Sequence, residues 1–417
     1  AQGHTQGLVK VSDDPSQEIV ATNAKAYAVS TSAQESLEAL LNVNVKNAFV
    51  GEEASDVNDF YEEDVVTYTT RYDWSLGWDT VTDLVPSESM AAGLENTIHP
   101  LTNNDTYDVT WGKDSGVTIA SGLELSDDDE YLGVKDLSDP VWQEMVEQIT
   151  LEDAMTFIEN GGNGFEPLPS INLPILYNQD GPIGIVQDQV ANYAARWTED
   201  KSWSPYYTTT SDPCGTWSAA QMPTEPLVAA TFNEELLYEE GVMFGNDGIW
   251  MNIQGQFAPG LNLHRTPYCA RNFEYYSEDA VLTSILGNAV CEGGKSKGIN
   301  MEPKHLAFNS QESNRSGLAT FFTEQTAREN ELRAFQGCMQ SNSAMGVMTA
   351  FNRAGTVFVG GHFGLQEQIL RNEWGYTGWI NTDMINGGDY MNWRVVILGG
   401  GGTCLGSTAT YQSSNIG

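Results

Sequence analysis

Charged side chains follow several short apolar runs in this 417-residue chain. Gln179, Asp180, Gly181 and Pro182 come after INLPILYN (171–178), Lys304 and His305 after GINMEP (298–303), and Asp383 after GWINT (378–382). Downstream of GIWMNI (248–253), the segment LNLHRTPYCARNFEYYSED (261–279) carries Arg271 and Glu274. Each alone has an ordinary reading: Asp180-Gly181-Pro182 as a turn, Lys304 and His305 as a satisfied core couple, Arg271 with Glu274 as a plain ion pair. Gathered at successive strand ends they cannot be apolar core, because each charge buried singly is heavily penalised. They must pair with one another or meet a polar ligand. The chemistry that suits them is cleavage of a sugar linkage. Carboxylate, Lys and His side chains supply the acceptors and donors that hydroxyls need. A carboxylate beside the anomeric carbon can stabilise or attack an oxocarbenium-like centre. Asp383 fits that role if Lys304 and Arg271 hold its pKa down. The 11 Trp and 17 Tyr also suit stacking on sugar faces, although most must serve core or surface.

Such groups converge only if the elements beneath them run parallel, since ligands of parallel β/α sheets bind beyond the carboxyl ends of the strands. The apolar runs above, with AMGVMTAF (344–351), read as buried strands. Between them lie helices with acidic first turns, such as the one opened by Asn233-Glu234-Glu235, and a long one from Thr323 to Gln340. Asp139 before Pro140 predicts a helix start, followed by Trp142, Met145, Val146 and Ile149 on one face. Thr150 with Asp153 predicts a second. This alternation over 139–417 predicts an α/β fold, a (β/α)8 TIM-like barrel. Upstream, 1–140 holds 27 acidic and 6 basic residues, so its net charge of −21 exceeds the −17 of the longer remainder. Its short alternating stretches read as an irregular, β-rich acidic segment over 46–138.

A net charge of −38 speaks against nucleic acid and anionic membrane surfaces as partners. No apolar run is long enough to span a bilayer. Five widely spaced cysteines, without CxxC or Cys/His spacing, give neither a disulfide framework nor a zinc site. No metal or organic cofactor is expected. Few Lys and many Tyr, Asn and Thr lean towards secretion or the cell surface, with the cytoplasm still open. No leader opens the chain, so Ala1 is read as the start of a mature, processed or fragmentary chain.

NQDGPIGI (178–185), PGLNLHRTPYCARNFEYYSED (259–279), EPKHLAFNSQESNR (302–315), GVMTAFNRAG (346–355) and LRNEWGYTGWINTDM (370–384) resemble, in order, the serial motifs of glycoside hydrolase family 3. AYAVSTSAQESLEALL (26–41) followed by DVVTYTTRYDWSLGWDT (64–80) is similar to the join between a fibronectin-III-like domain and the barrel in members of inverted domain order, which makes 1–45 the tail of that domain. The resemblance implies a retaining, β-glucosidase-like hydrolase with Asp383 as nucleophile. It implies that Asp180, Arg271, Lys304 and His305 bind the sugar and that Glu274 orients them. The family's acid/base Glu sits on an α/β sandwich that has no counterpart here, so a companion chain or segment is expected to supply it. Met384 stands where the family often has Trp or Tyr, and Phe351 where many members have Tyr. Two other readings stay open: a glycan-binding barrel with impaired turnover, and a structural or assembly protein, with homo-oligomers among its forms.

Overall fold

The computed structural model describes residues 47–68, 85–96, 110–118, 140–159, 164–186, 219–251, 253–385 and 390–406. The expected fibronectin-III-like tail at 1–45 lies outside them. Five strands form a parallel wall: β1 (Leu176–Asp180), β2 (Gly255–Phe257), β3 (Asn300–Met301), β4 (Gly346–Thr349) and β5 (Trp379–Thr382). Asn178 of β1 sits opposite Gly255 of β2, which sits opposite Asn300 of β3. Gly346 of β4 sits opposite Trp379 of β5. A parallel bridge from Leu306 to Thr349 joins the third position to the fourth, and Asn381 bridges in parallel to Thr403 beyond β5. Spatial order thus follows chain order.

Helices fill the intervals. Glu234–Met251 lies between β1 and β2, and Ala280–Lys295 between β2 and β3. Thr323 caps the next with its hydroxyl on the Thr326 amide at 3.3 Å. That helix passes through a π-turn at Ala327–Glu331 into Leu332–Gln340. The π-helical segment Gly364–Glu373 separates β4 from β5, and Trp393–Leu398 follows β5. Parallel strands alternating with helices make this a TIM-barrel-like α/β fold. Leu237, Phe244, Leu286, Val290, Phe335 and Met339 from the helices form one buried core with Met301, Val347 and Ile380 from the strands. The first two helices pack backbone to backbone at Gly241 and Gly293, where a Cβ would overlap the Val290 and Tyr238 carbonyls.

One expectation needs correction. The run 248–253 is not a strand: its first four residues finish the helix Glu234–Met251, and the strand begins at Gly255. A short apolar run has no period of its own, and here the helix opened by Glu234 carries through it. The described residues of the acidic stretch 46–138 hold 3-10 turns at Gly51–Glu53 and Val57–Phe60 and a helix at Glu88–Glu95; the rest of the stretch lies outside them. The Asn58 amide bonds Val65 N, Val66 N and Val66 O at 2.9–3.0 Å, taking places a neighbouring strand would occupy. Ala48 and Phe49 donate backbone N–H groups to Glu324, and the Phe49 ring sits edge-on against Phe308 and Phe322. The helices Pro140–Gln148 and Leu151–Glu159 stand where expected, the second capped by Thr150, which accepts from Asp153 N at 3.1 Å.

Candidate active site

Asp180 is the last residue of β1, and the chain turns away at Gly181 with φ +132°. A side chain at 181 would overlap the Gly184 carbonyl, so this sharp exit requires glycine. Lys304 and His305 follow β3, where Lys304 N bonds Pro259 O at 2.9 Å. Asn262 grips the His305 backbone from both sides, accepting from its N–H at 2.8 Å and donating to its carbonyl at 2.9 Å. Asp383 follows β5, tied by its N–H to the Thr349 carbonyl of β4 at 2.8 Å. Arg271 and Glu274 come from the long segment after β2, around a 3-10 turn at Asn272–Glu274.

These elements bring all six expected residues together. Lys304 Nζ bonds Asp180 Oδ1 and lies 3.6 Å from Glu274 Oε2. Arg271 Nε bonds Glu274 Oε1, so that buried carboxylate bridges the two cations. His305 Nε2 stands 3.5 Å from Asp383 Oδ2. A cleft of about 250 Å³ opens over them, lined by Asp180, Arg271, Lys304, His305, Asp383 and Arg315 among others. Lys304 and His305 are 2 % exposed at their side chains, Asp383 13 % and Asp180 47 %.

Burial would raise the Asp180 carboxyl, but the ammonium and hydrogen bond of Lys304, helped by Gly181 N–H, leave it below the ordinary range. Asp383 goes the other way. Desolvation pushes it up to about 6, although Met384 N–H, Lys304, Arg315 and Arg271 all pull it down. The expectation that the cations keep it low is therefore corrected: the loss of water outweighs them. His305 is held neutral, first by burial and then by Arg271, Lys304 and Arg315. Its contact with Asp383 is thus not an ion pair. Tyr275 stays protonated, chiefly through burial. Its hydroxyl accepts from Asn309 Nδ2 at 3.3 Å and stands 3.2 Å from His305 Nδ1. This network assigns Nδ1 as acceptor and turns Nε2–H towards Asp383.

Three participants had no role from sequence. Arg315 lines the cleft, stacks its guanidinium 4.6 Å from the Phe351 ring centroid and bonds Glu312 at 2.9 Å. Glu312 also lies 3.7 Å from Arg271 Nη1, joining the two arginines. Tyr275 orients His305. Both Arg315 and Glu312 fall within the quoted stretch 302–315, but on a loop whose residue spacing does not reveal which side chains turn inward. Met384, 48 % exposed, lies on the cleft wall. No cluster of three or more His, Cys, Asp or Glu placed to hold a metal occurs among the described residues. None of the described helices is long and apolar enough to cross a membrane.

Residues 214–392 match the N-terminal domain of glycosyl hydrolase family 3. Beta-glucosidase A of Butyrivibrio fibrisolvens is 30 % identical over 282 residues, covering 64 % of this chain and 31 % of the relative. A beta-glucosidase of Ruminococcus albus is 36 % identical over 165 residues, 40 % of this chain and 17 % of its own. Beta-glucosidase 3B of Thermotoga neapolitana, solved with alpha-D-glucose, superposes with a TM-score of 0.56 at 27 % identity, covering 65 % of this chain and 37 % of that one. The chain therefore spans less than a third of the length of these two curated relatives. Strand order, shared motifs and the matched stretch agree: residues 214–392 carry the N-terminal domain of glycosyl hydrolase family 3, and the chain is similar to beta-glucosidases.

Proposed function

We propose that this chain is the barrel part of a retaining β-glucosidase-like glycosidase that removes terminal β-linked sugars. The observation that carries the reading is Asp383, a nearly buried carboxyl group on the wall of a small cleft that it shares with three cations, a neutral imidazole and the carboxylates of Asp180 and Glu312. At about 250 Å³ the cleft falls below the roughly 300–1,000 Å³ of drug-sized sites, which suits one sugar ring. Asp180 accepts from sugar hydroxyls, while Lys304, Arg271, Arg315 and neutral His305 donate to them. Glu274 and Glu312 hold the cations in place.

In the first step an Asp383 oxygen bonds C1 as the glycosidic C–O bond breaks, and the leaving oxygen takes a proton from an acid outside this chain. In the second, water displaces the carboxylate and gives its proton to the same group. That group is assigned to a Glu on a companion segment or chain, whose carboxyl would stand about 5–5.5 Å from Asp383. Secretion or cell-surface placement is proposed from composition alone, and no oligomeric state is assigned.

An aryl β-glucoside with a strongly acidic phenol tests the reading, because its departure needs little protonation. Wild type should hydrolyse it and Asp383→Ala should fall to background. Equal rates in the two proteins would end the proposal. Binding of glucose without any turnover would leave a glycan-binding barrel in its place.

A further inference from the structure

A buried polar layer lies directly beneath the cleft. Side chains two residues apart on a strand share a face. Asn178, Glu302 and Asn381 each precede a cleft residue by two positions: Asp180, Lys304 and Asp383. All three are 0–1 % exposed. Glu302 Oε1 accepts from Asn178 Nδ2 of β1 and, at 2.8 Å, from Asn300 Nδ2 of β3. The Asn381 amide of β5 stands beside the same carboxyl, outside strict hydrogen-bond geometry, while its oxygen accepts from Thr403 at 3.1 Å. Neighbouring strands leave room for this layer with glycine. A Cβ at Gly255 of β2 would overlap the Asn178 amide, and one at Gly346 of β4 would overlap the Glu302 stem.

We propose that Glu302 is a positioning residue for the cleft, a hub that sets the spacing of Asp180, Lys304 and Asp383 by tying together the strands that carry them. Burial, acting against the amides of Asn178, Asn381 and Asn300, lifts its carboxyl to about 8. It is therefore protonated at neutral pH. An uncharged acceptor bonded to β1 and β3, with the β5 amide beside it, holds these strands without needing a buried counter-ion. A shift of one strand by an ångström would pass directly to the side chain two residues along.

The inference rests on the glycosidase reading for its catalytic consequence but not for its structural one, so two readouts separate them. The first is amide hydrogen exchange at Val186, Lys304 and Asp383, whose N–H groups bond Asp180 O, Pro259 O and Thr349 O at the three strand ends. The second is the rate at which an activated 2-deoxy-2-fluoro-β-glucoside labels Asp383, read by intact mass. Glu302→Gln keeps a neutral acceptor and should stay within about twofold of wild type in both. Glu302→Leu should speed exchange at all three strand ends and slow labelling about tenfold or more, with the helix Glu234–Met251 still protected. Asn178→Ala, which spares Glu302, should loosen only the β1 end, and it keeps the proposal testable if the leucine variant does not fold. Unchanged exchange in both Glu302→Leu and Asn178→Ala would overturn the hub, as would a glutamine variant as impaired as leucine. Faster exchange in Glu302→Leu, with a wild type that never labels, would sink the glycosidase reading and leave the hub standing.

Discussion

The Asp383 carboxyl provides a quantitative test. Its pKa of about 6 stands some two units above the ordinary 3.8, so the site disfavours its charged form by a net of about 3 kcal/mol, desolvation outweighing the cations. The sign follows directly: a group raised in this way is protonated, and useless as a nucleophile, until pH exceeds about 6. At pH 7 about nine-tenths of the molecules carry the carboxylate, and at pH 5 about one-tenth. On the proposed function, covalent labelling by an activated 2-deoxy-2-fluoro-β-glucoside would depend on this group and need little acid assistance. Its rate should fall roughly tenfold between pH 7 and pH 5. An Asp383 at its ordinary value of 3.8 would lose only about a twentieth of its rate over the same interval. Arg315→Gln removes one of the cations that pull the value down, so its acidic limb should move to higher pH. A labelling rate flat from pH 7 to pH 5 in a folded protein, or an acidic limb that Arg315→Gln moves downward, would refute the claim that desolvation governs this site.

Glu302 predicts a stability effect over a defined window. Its carboxyl is protonated in the fold below about 8 but ionised in the unfolded chain above 4.5, so wild type loses stability as pH rises between those values. Glu302→Gln lacks this linkage. Its advantage in urea denaturation should grow by about 3 kcal/mol from pH 5 to pH 7.5, and a constant difference would show that the carboxyl is not held neutral. The nearby Tyr376 phenol, kept protonated by burial, does not titrate in that range. Gly346→Ala forces a methyl group into the Glu302 stem and should cost about 1–3 kcal/mol in the same assay, whereas an unchanged midpoint would mean the layer is loosely packed.

Much of the site is legible in the chain because a strand end is a local event. An apolar run followed by a charged residue marks where the backbone leaves the wall, and Asp180, Lys304, His305 and Asp383 are found by that pattern alone. Arg271 and Glu274 are readable as a pair by their spacing, and the order of the motifs carries the resemblance to glycosyl hydrolase family 3. What escapes is whatever depends on distant neighbours. The run 248–253 carries the same apolar signal in a helix as in a strand, and only the preceding turns decide between them. Arg315 and Glu312 reach the cleft along a loop that has no period to read. The direction of the Asp383 shift could not be inferred from its cations, since it is the balance of those charges against the water that the folded walls exclude. The Glu302 layer likewise needs Gly255 and Gly346 from other strands to leave space for it. Residue order along the chain selected the chemical groups; packing across the barrel decided their charge states and mutual distances, because desolvation and steric fit depend on atoms far apart in sequence.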